Sequence, residues 1–218
     1  MYKPLIAIVG HSGSGKSTAL RNLDPETTYI LDLERKGFPF RNANRFNIIP
    51  VENANAFPRL LEKTLKEENC ETIVVESFTK YVEQVNTLAV NSFKGYDIWS
   101  FYNRTIRNML DSIKNDKATI IFTAVDDIVK IPQITGGESS HRRVKVQGKV
   151  HEGAIEKEFL MVLFTEVRKN EKTEEMEYFF QTNTDGVTSA KTPMGMFDEQ
   201  LIPNDIVTVL KKAEEYYA

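Results

Sequence analysis

The chain has 218 residues, of which 41% are hydrophobic and 27% charged, and its formal net charge is −3. That balance excludes wholesale disorder, a collagen-like chain and an extended coiled coil, and the length suffices to bury a real core in one domain. A mildly acidic total also excludes a histone-like polycation, so any contact with nucleic acid has to come from a local basic stretch. Cys70 is the single cysteine, which leaves no intrachain disulfide and no cysteine-rich metal site. No run approaches the roughly 18 apolar residues of a membrane span, and the opening MYKPLIAIVG has too short an apolar stretch for a signal-peptide core. A cytoplasmic location without a membrane partner is therefore expected.

Leu5–Val9 reads as a buried strand running into a glycine-rich turn and a short helix over 16–22, which Asp24-Pro25 ends. Residues 28–33 form a second strand. Phe57, Leu60, Leu61 and Leu65 recur at helical spacing, so 55–68 reads as an amphipathic helix. A third strand over 72–75 precedes a helix marked by Phe78, Tyr81, Val82, Val85 and Leu88. A longer helix follows, with Asp97 as its cap and Ile98, Tyr102, Ile106, Met109 and Ile113 on or near one face. Residues 119–125 are the fourth strand.

Apolar strands alternating with helices predict an α/β fold with a mostly parallel central sheet flanked by helices. Periodicity lapses over 128–154, where Gly136, Gly137, Gly148 and Gly153 and scattered charges predict a long loop. Strands over 159–167 and 176–182, joined by a polar turn, predict a hairpin, and 204–217 reads as a terminal helix. With no repeat and no low-complexity linker, 1–218 is expected to be one domain: a core over 3–127, the long loop, then hairpin and helix over 155–218.

The strongest local signal is Gly10-His11-Ser12-Gly13-Ser14-Gly15-Lys16-Ser17, followed by Thr18. It fits G-x-x-x-x-G-K-[ST], and it stands where the motif requires, between a buried strand and a helix. Its glycines let the chain curl so that successive N–H groups converge on phosphate oxygens. Lys16 is expected near the β/γ-phosphates and the Ser17 hydroxyl on Mg²⁺, while His11 occupies a variable motif position. The strand 72–75 delivers Glu76, a second candidate for the metal, followed by Ser77 as a weaker candidate for orienting phosphate or water. In Asp32-Leu33-Glu34, alternation puts both acids on one side of the strand, with Glu34 at its exit. A carboxylate there can accept a hydrogen bond from an attacking water, since ligands of open parallel sheets sit outside the carboxyl ends of the strands.

The series GHSGSGKST, YILDLERKG, TIVVESF and TIIFTAVDD resembles the ATPase core of RecA-type recombinases. It is most similar to the small phage-encoded RecA-like ATPases of recombination and single-strand annealing, and the likeness covers about residues 3–127. The resemblance implies ATP and Mg²⁺ as ligands, a homo-oligomer, and single-stranded DNA as partner. It places the water-activating glutamate on Glu34 and the second metal acid on Glu76, where an Asp is usual. It leaves Thr123 or Asp126 where the family carries a polar phosphate sensor. The family's DNA-binding loops fall near 91–103, with Lys94, Tyr96, Trp99 and Phe101, and on the long loop, with Arg142, Arg143, Lys145 and Lys149. Basic runs of that kind neutralise phosphates without reading sequence. Lys191 resembles a basic residue delivered to the nucleotide of a neighbouring subunit.

Two other classes compete. A P-loop kinase would use Arg142-Arg143 as a lid over its phosphates, and a nucleotide-gated binding module would bind without turnover. No [NT]-K-x-D follows a strand and no L-S-G-G-Q occurs, which speaks against GTPase and ABC readings.

Overall fold

The computed structural model describes residues 3–132, 134 and 136–218. Met1 and Tyr2 of the opening segment, and Gln133 and Thr135 of the expected long loop, lie outside the described residues. The main sheet has eight strands: β1 (Leu5–Val9), β2 (Thr28–Asp32), β3 (Asn47–Pro50), β4 (Thr72–Glu76), β5 (Thr119–Ala124), β8 (Met161–Lys169), β9 (Met176–Gln181) and β10 (Leu201–Pro203). Their order is β10-β9-β8-β1-β5-β4-β2-β3. The six strands from β8 to β3 run parallel, and β9 and β10 complete the edge antiparallel. The predicted mostly parallel α/β sheet with a C-terminal hairpin is what the chain forms.

Among the described residues, four α-helices cover the sheet: α1 (Phe57–Lys66), α2 (Phe78–Ser92), α3 (Tyr96–Ser112) and α4 (Ile206–Tyr217). Alternation along β1 divides the core. Leu5, Ala7 and Val9 pack with Phe57, Tyr81, Val85, Tyr102 and Ile106 of α1 to α3. Ile6 and Ile8 face the other way, onto Leu20, Phe180, Ile206 and Val209. Burial on both faces is why these parallel strands read as near-continuous apolar runs.

Several expectations need correction. The helix over 16–22 is only a 3-10 turn, Thr18–Leu20. Ala19 and Leu20 are its buried residues, and Asp24-Pro25 stops the chain directly after the buried Leu23, leaving no room for further helical turns. Strand β3 went unread because it is an edge strand with an almost fully exposed pattern. Gly95 caps α3, with φ of 59°, and Asp97 lies in the first turn, where its charge favours the helix dipole.

The expected long loop contains an antiparallel hairpin, β6 (Asp126–Pro132) with β7 (Glu138–Val144), separate from the main sheet. Val125 alone separates β5 from β6. The base of the hairpin is tied down by Lys145 N–H to Val125 O (2.9 Å), Arg142 N–H to Val187 O (2.7 Å) and Val144 N–H to Glu156 Oε1 (2.9 Å). A two-stranded ladder needs such anchoring to persist.

Candidate nucleotide site at the carboxyl edge of the sheet

Residues 10–17 leave the carboxyl end of β1 as a closed loop. Gly13 (φ 79°) and Gly15 (φ 93°) adopt the left-handed region that favours glycine. Gly10 is needed for space, because a side-chain carbon there would collide with Thr165 Oγ1 midway along β8. That hydroxyl lies 2.6 Å from Ser14 Oγ, which in turn donates to His11 O at 2.7 Å. Gly10 N–H donates to Ala124 O at 3.1 Å. The loop is thus fastened to β5 on one side and β8 on the other.

Lys16 reaches back across the loop and donates to Gly10 O (2.8 Å) and His11 O (2.7 Å). Burial lowers the pKa of its ammonium, while Glu76, Asp126 and Glu34 act in the opposite sense. The predicted metal pair meets: Ser17 Oγ donates to Glu76 Oε1 at 2.6 Å, and Thr123 Oγ1 donates to Glu76 Oε2 at 2.7 Å. Glu76 is 4% exposed, and burial pushes its carboxyl above its ordinary value against those two hydrogen bonds. Because β5 lies between β1 and β4, Thr123 can bridge the gap to this acid. Ser77 does not face phosphate: it is buried, and its Oγ accepts Lys80 N–H as the cap of α2.

A buried carboxylate met by hydroxyls rather than by a cation fits Mg²⁺. The ion takes hard oxygen donors, commonly one or two protein groups with substrate phosphates and water completing the shell. Ser17 and Glu76 are the residues that could hold it.

Asp32 and Glu34 separate in role. Strand β2 ends at Asp32, whose Oδ1 accepts the N–H groups of Glu34 (3.0 Å) and Arg35 (2.8 Å), so it shapes the turn. Glu34 lies within that turn, its side chain 20% exposed and paired with Lys36. It lies near enough to act electrostatically on both Lys16 and Glu76.

The basic residues divide as well. Arg142 on β7 pairs with Asp126 (Nε to Oδ2, 2.7 Å), and its guanidinium lies 5.4 Å from the ring centre of Phe164. Arg143 and Lys145 are partly exposed and Lys149 is exposed, with Arg143 packed against Gly153. Lys191 is not brought to this site in its own chain. It exchanges backbone hydrogen bonds with Val162 near the start of β8, and burial lowers the pKa of its ammonium against the pull of Glu156 and Glu158. In the 91–103 stretch, Tyr102 is core, its hydroxyl accepting Gln147 N–H at 3.1 Å. Tyr96 is 82% exposed, and Trp99 lies against Gly148.

Sequence reasoning missed three neighbours of the loop: Thr165, Tyr178 and Asn204. A polar residue ending the apolar run Met161–Thr165 was a usable signal for the first. Nothing local marks the other two, since strand pairing alone brings them in.

Among the described residues, no helix is long and apolar enough to cross a membrane. No curated protein matches the chain at a significant level. A family model described as an AAA domain matches residues 3–194, which includes the phosphate loop, Glu34, Glu76 and the β6–β7 hairpin. The chain belongs to the AAA domain family and carries a P-loop, nucleotide-binding domain of the AAA ATPase type.

Proposed function

We propose that this protein is a Mg²⁺-dependent, RecA-like ATPase that binds single-stranded DNA in recombination or annealing and works in the cytoplasm as a homo-oligomer, each chain being one domain. The observation that carries the ATPase part is the buried Glu76 carboxylate, shared between Ser17 of the phosphate loop and Thr123 of β5. In this reading the N–H groups from Gly10 to Thr18 cradle the phosphates and Lys16 turns from the loop carbonyls to the β/γ-phosphates. Ser17 and Glu76 would hold the ion, whose charge, when bound, would offset the negative charge developing on the transferring phosphoryl group. Glu34, held at the rim by Lys36, accepts a hydrogen bond from the attacking water and aims it.

The DNA part is supported by the projecting β6–β7 hairpin and the segment after it, where Arg143, Lys145 and Lys149 present charge. Arg142 contributes less there, since Asp126 already matches it. Lys191 acts across an interface, on the nucleotide of a neighbouring copy. The same Arg142–Asp126 pair weighs against a kinase, because a lid arginine has to be free to close over phosphate. The deciding experiment measures phosphate release with and without single-stranded DNA, and again with small phosphate acceptors. DNA-stimulated release of inorganic phosphate is expected. Phosphate appearing on an acceptor instead would establish the kinase.

A further inference from the structure

Tyr178 of β9 and Asn204, just past β10, have no part in the chemistry above. Asn204 N–H donates to Tyr178 O at 3.1 Å, continuing the ladder in which Ile202 pairs with Phe180, so the two side chains share one face of the edge hairpin. That face carries Phe180 and Ile202 into the core beside the phosphate-loop turn. Tyr178 and Asn204 lie a step nearer the carboxyl edge, level with the loop. A side-chain carbon at Gly15 would stand 3.0 Å from Tyr178 Cδ1 and 3.2 Å from Asn204 Oδ1. Arg21 fixes the corner by donating to Asn204 O (2.7 Å) and Thr18 O (3.0 Å).

Two observations point to a ligand. Asn204 is 4% exposed, and neither its Oδ1 nor its Nδ2 has a hydrogen-bond partner, although buried amides are nearly always paired. Tyr178, by contrast, is 43% exposed beside it. Their position relative to the loop gives the ligand its chemistry. Lys16, Glu76 and Glu34 mark the γ-phosphate end, so a nucleoside leaves the loop at the opposite end, where Gly15 to Thr18 address the α/β-phosphates.

We propose that Tyr178 and Asn204 form a recognition site for an adenine base, a proposal that rests on the phosphate loop binding a nucleoside triphosphate. The Tyr178 ring turns outward and stacks on the base, which uncovers the amide. Asn204 then donates to N7 and accepts from the exocyclic amine. Adenine offers that acceptor–donor pair along one edge, whereas guanine offers two acceptors there, which one amide cannot match.

The test is calorimetric titration of the whole chain with Mg-ATP, Mg-GTP and Mg-tripolyphosphate, the last probing the loop without a base. The wild type is expected to prefer ATP to GTP. Tyr178→Ala should weaken ATP binding by about tenfold or more while leaving tripolyphosphate unchanged, and Tyr178→Phe should restore ATP affinity. Asn204→Leu, an apolar replacement of similar size, should erase the ATP/GTP preference and again spare tripolyphosphate. Equal losses of ATP and tripolyphosphate would overturn the proposal, because the two residues would then only support the loop. Unchanged ATP affinity in both variants, or equal ATP and GTP affinity in the wild type, would overturn it too. A wild type that binds tripolyphosphate but no base-dependent ligand sinks the base site alone. One that binds neither ATP nor tripolyphosphate sinks the nucleotide reading beneath it.

Discussion

The phosphate loop and the β6–β7 hairpin are neighbours in space and opposites in construction. Around the loop, polar groups are buried and matched: Glu76 has two hydroxyl donors, and Thr165 closes on Ser14 and Gly10. On the hairpin the strands are exposed or half-buried but for Val144, and ion pairing occurs at positions such as Arg142–Asp126 and Lys130–Glu138. Chemistry on a phosphate needs groups held in place before the ligand arrives, whereas contact with a flexible polyanion needs charge that stays in water. The contrast predicts that variants in the first region alter turnover, and variants in the second alter salt-dependent affinity.

The largest effect should come from Lys16→Ala, which removes the loop's cation; phosphate release should fall by about 10²-fold or more, read in a steady-state ATPase assay. Wild-type turnover would return the loop to a structural turn. Glu34→Gln should keep ATP binding while slowing hydrolysis by about 10²–10⁴-fold, which single-turnover kinetics would separate from binding. Replacing Arg143, Lys145 and Lys149 together by Ala should leave basal turnover intact. Their loss should flatten the slope of log affinity for single-stranded DNA against log salt by about 2, at about 0.7 per phosphate contact. An unchanged slope would show these charges to be merely solvated. Arg142→Ala sharpens the contrast, since it strands the largely buried Asp126 and should cost about 1–3 kcal/mol in denaturant unfolding.

The smallest effect is a pH dependence. Burial raises the folded-state pKa of Glu76 above its unfolded value, so the folded chain binds the extra proton between those two values. In the absence of nucleotide and magnesium, this group's contribution makes the chain less stable as pH rises through that window. Glu76→Gln should remove that slope in thermal melts at a series of pH values, and an identical slope would show the carboxyl to be unstrained.

Legibility in the sequence followed the same division. Strands β1, β2, β4 and β5 are buried on both faces, so their residues could be read singly, and the phosphate loop announces itself because its spacing is set by local backbone geometry. Edge strands β3 and β10 and the β6–β7 hairpin bury little, and therefore leave no alternation to detect. The Arg142–Asp126 pair, and the approach of Tyr178 and Asn204 to the loop, depend on registers between distant segments. No pattern within a window could show them. The placement of Glu34 differs from the expectation: it lies within a turn shaped by Asp32, not on the strand whose alternation suggested it.

The passage from β5 to β6 leaves almost no slack. Thr123 holds the Glu76 carboxylate, Asp126 holds Arg142, and the intervening Val125 is clamped on both sides, its N–H to Thr79 Oγ1 (2.8 Å) and its carbonyl to Lys145 N–H (2.9 Å). In mechanical terms the hairpin is an arm keyed directly to the axle at Val125. A small rotation there sweeps a larger arc at the far end of β6 and β7, with no hinge between to absorb it.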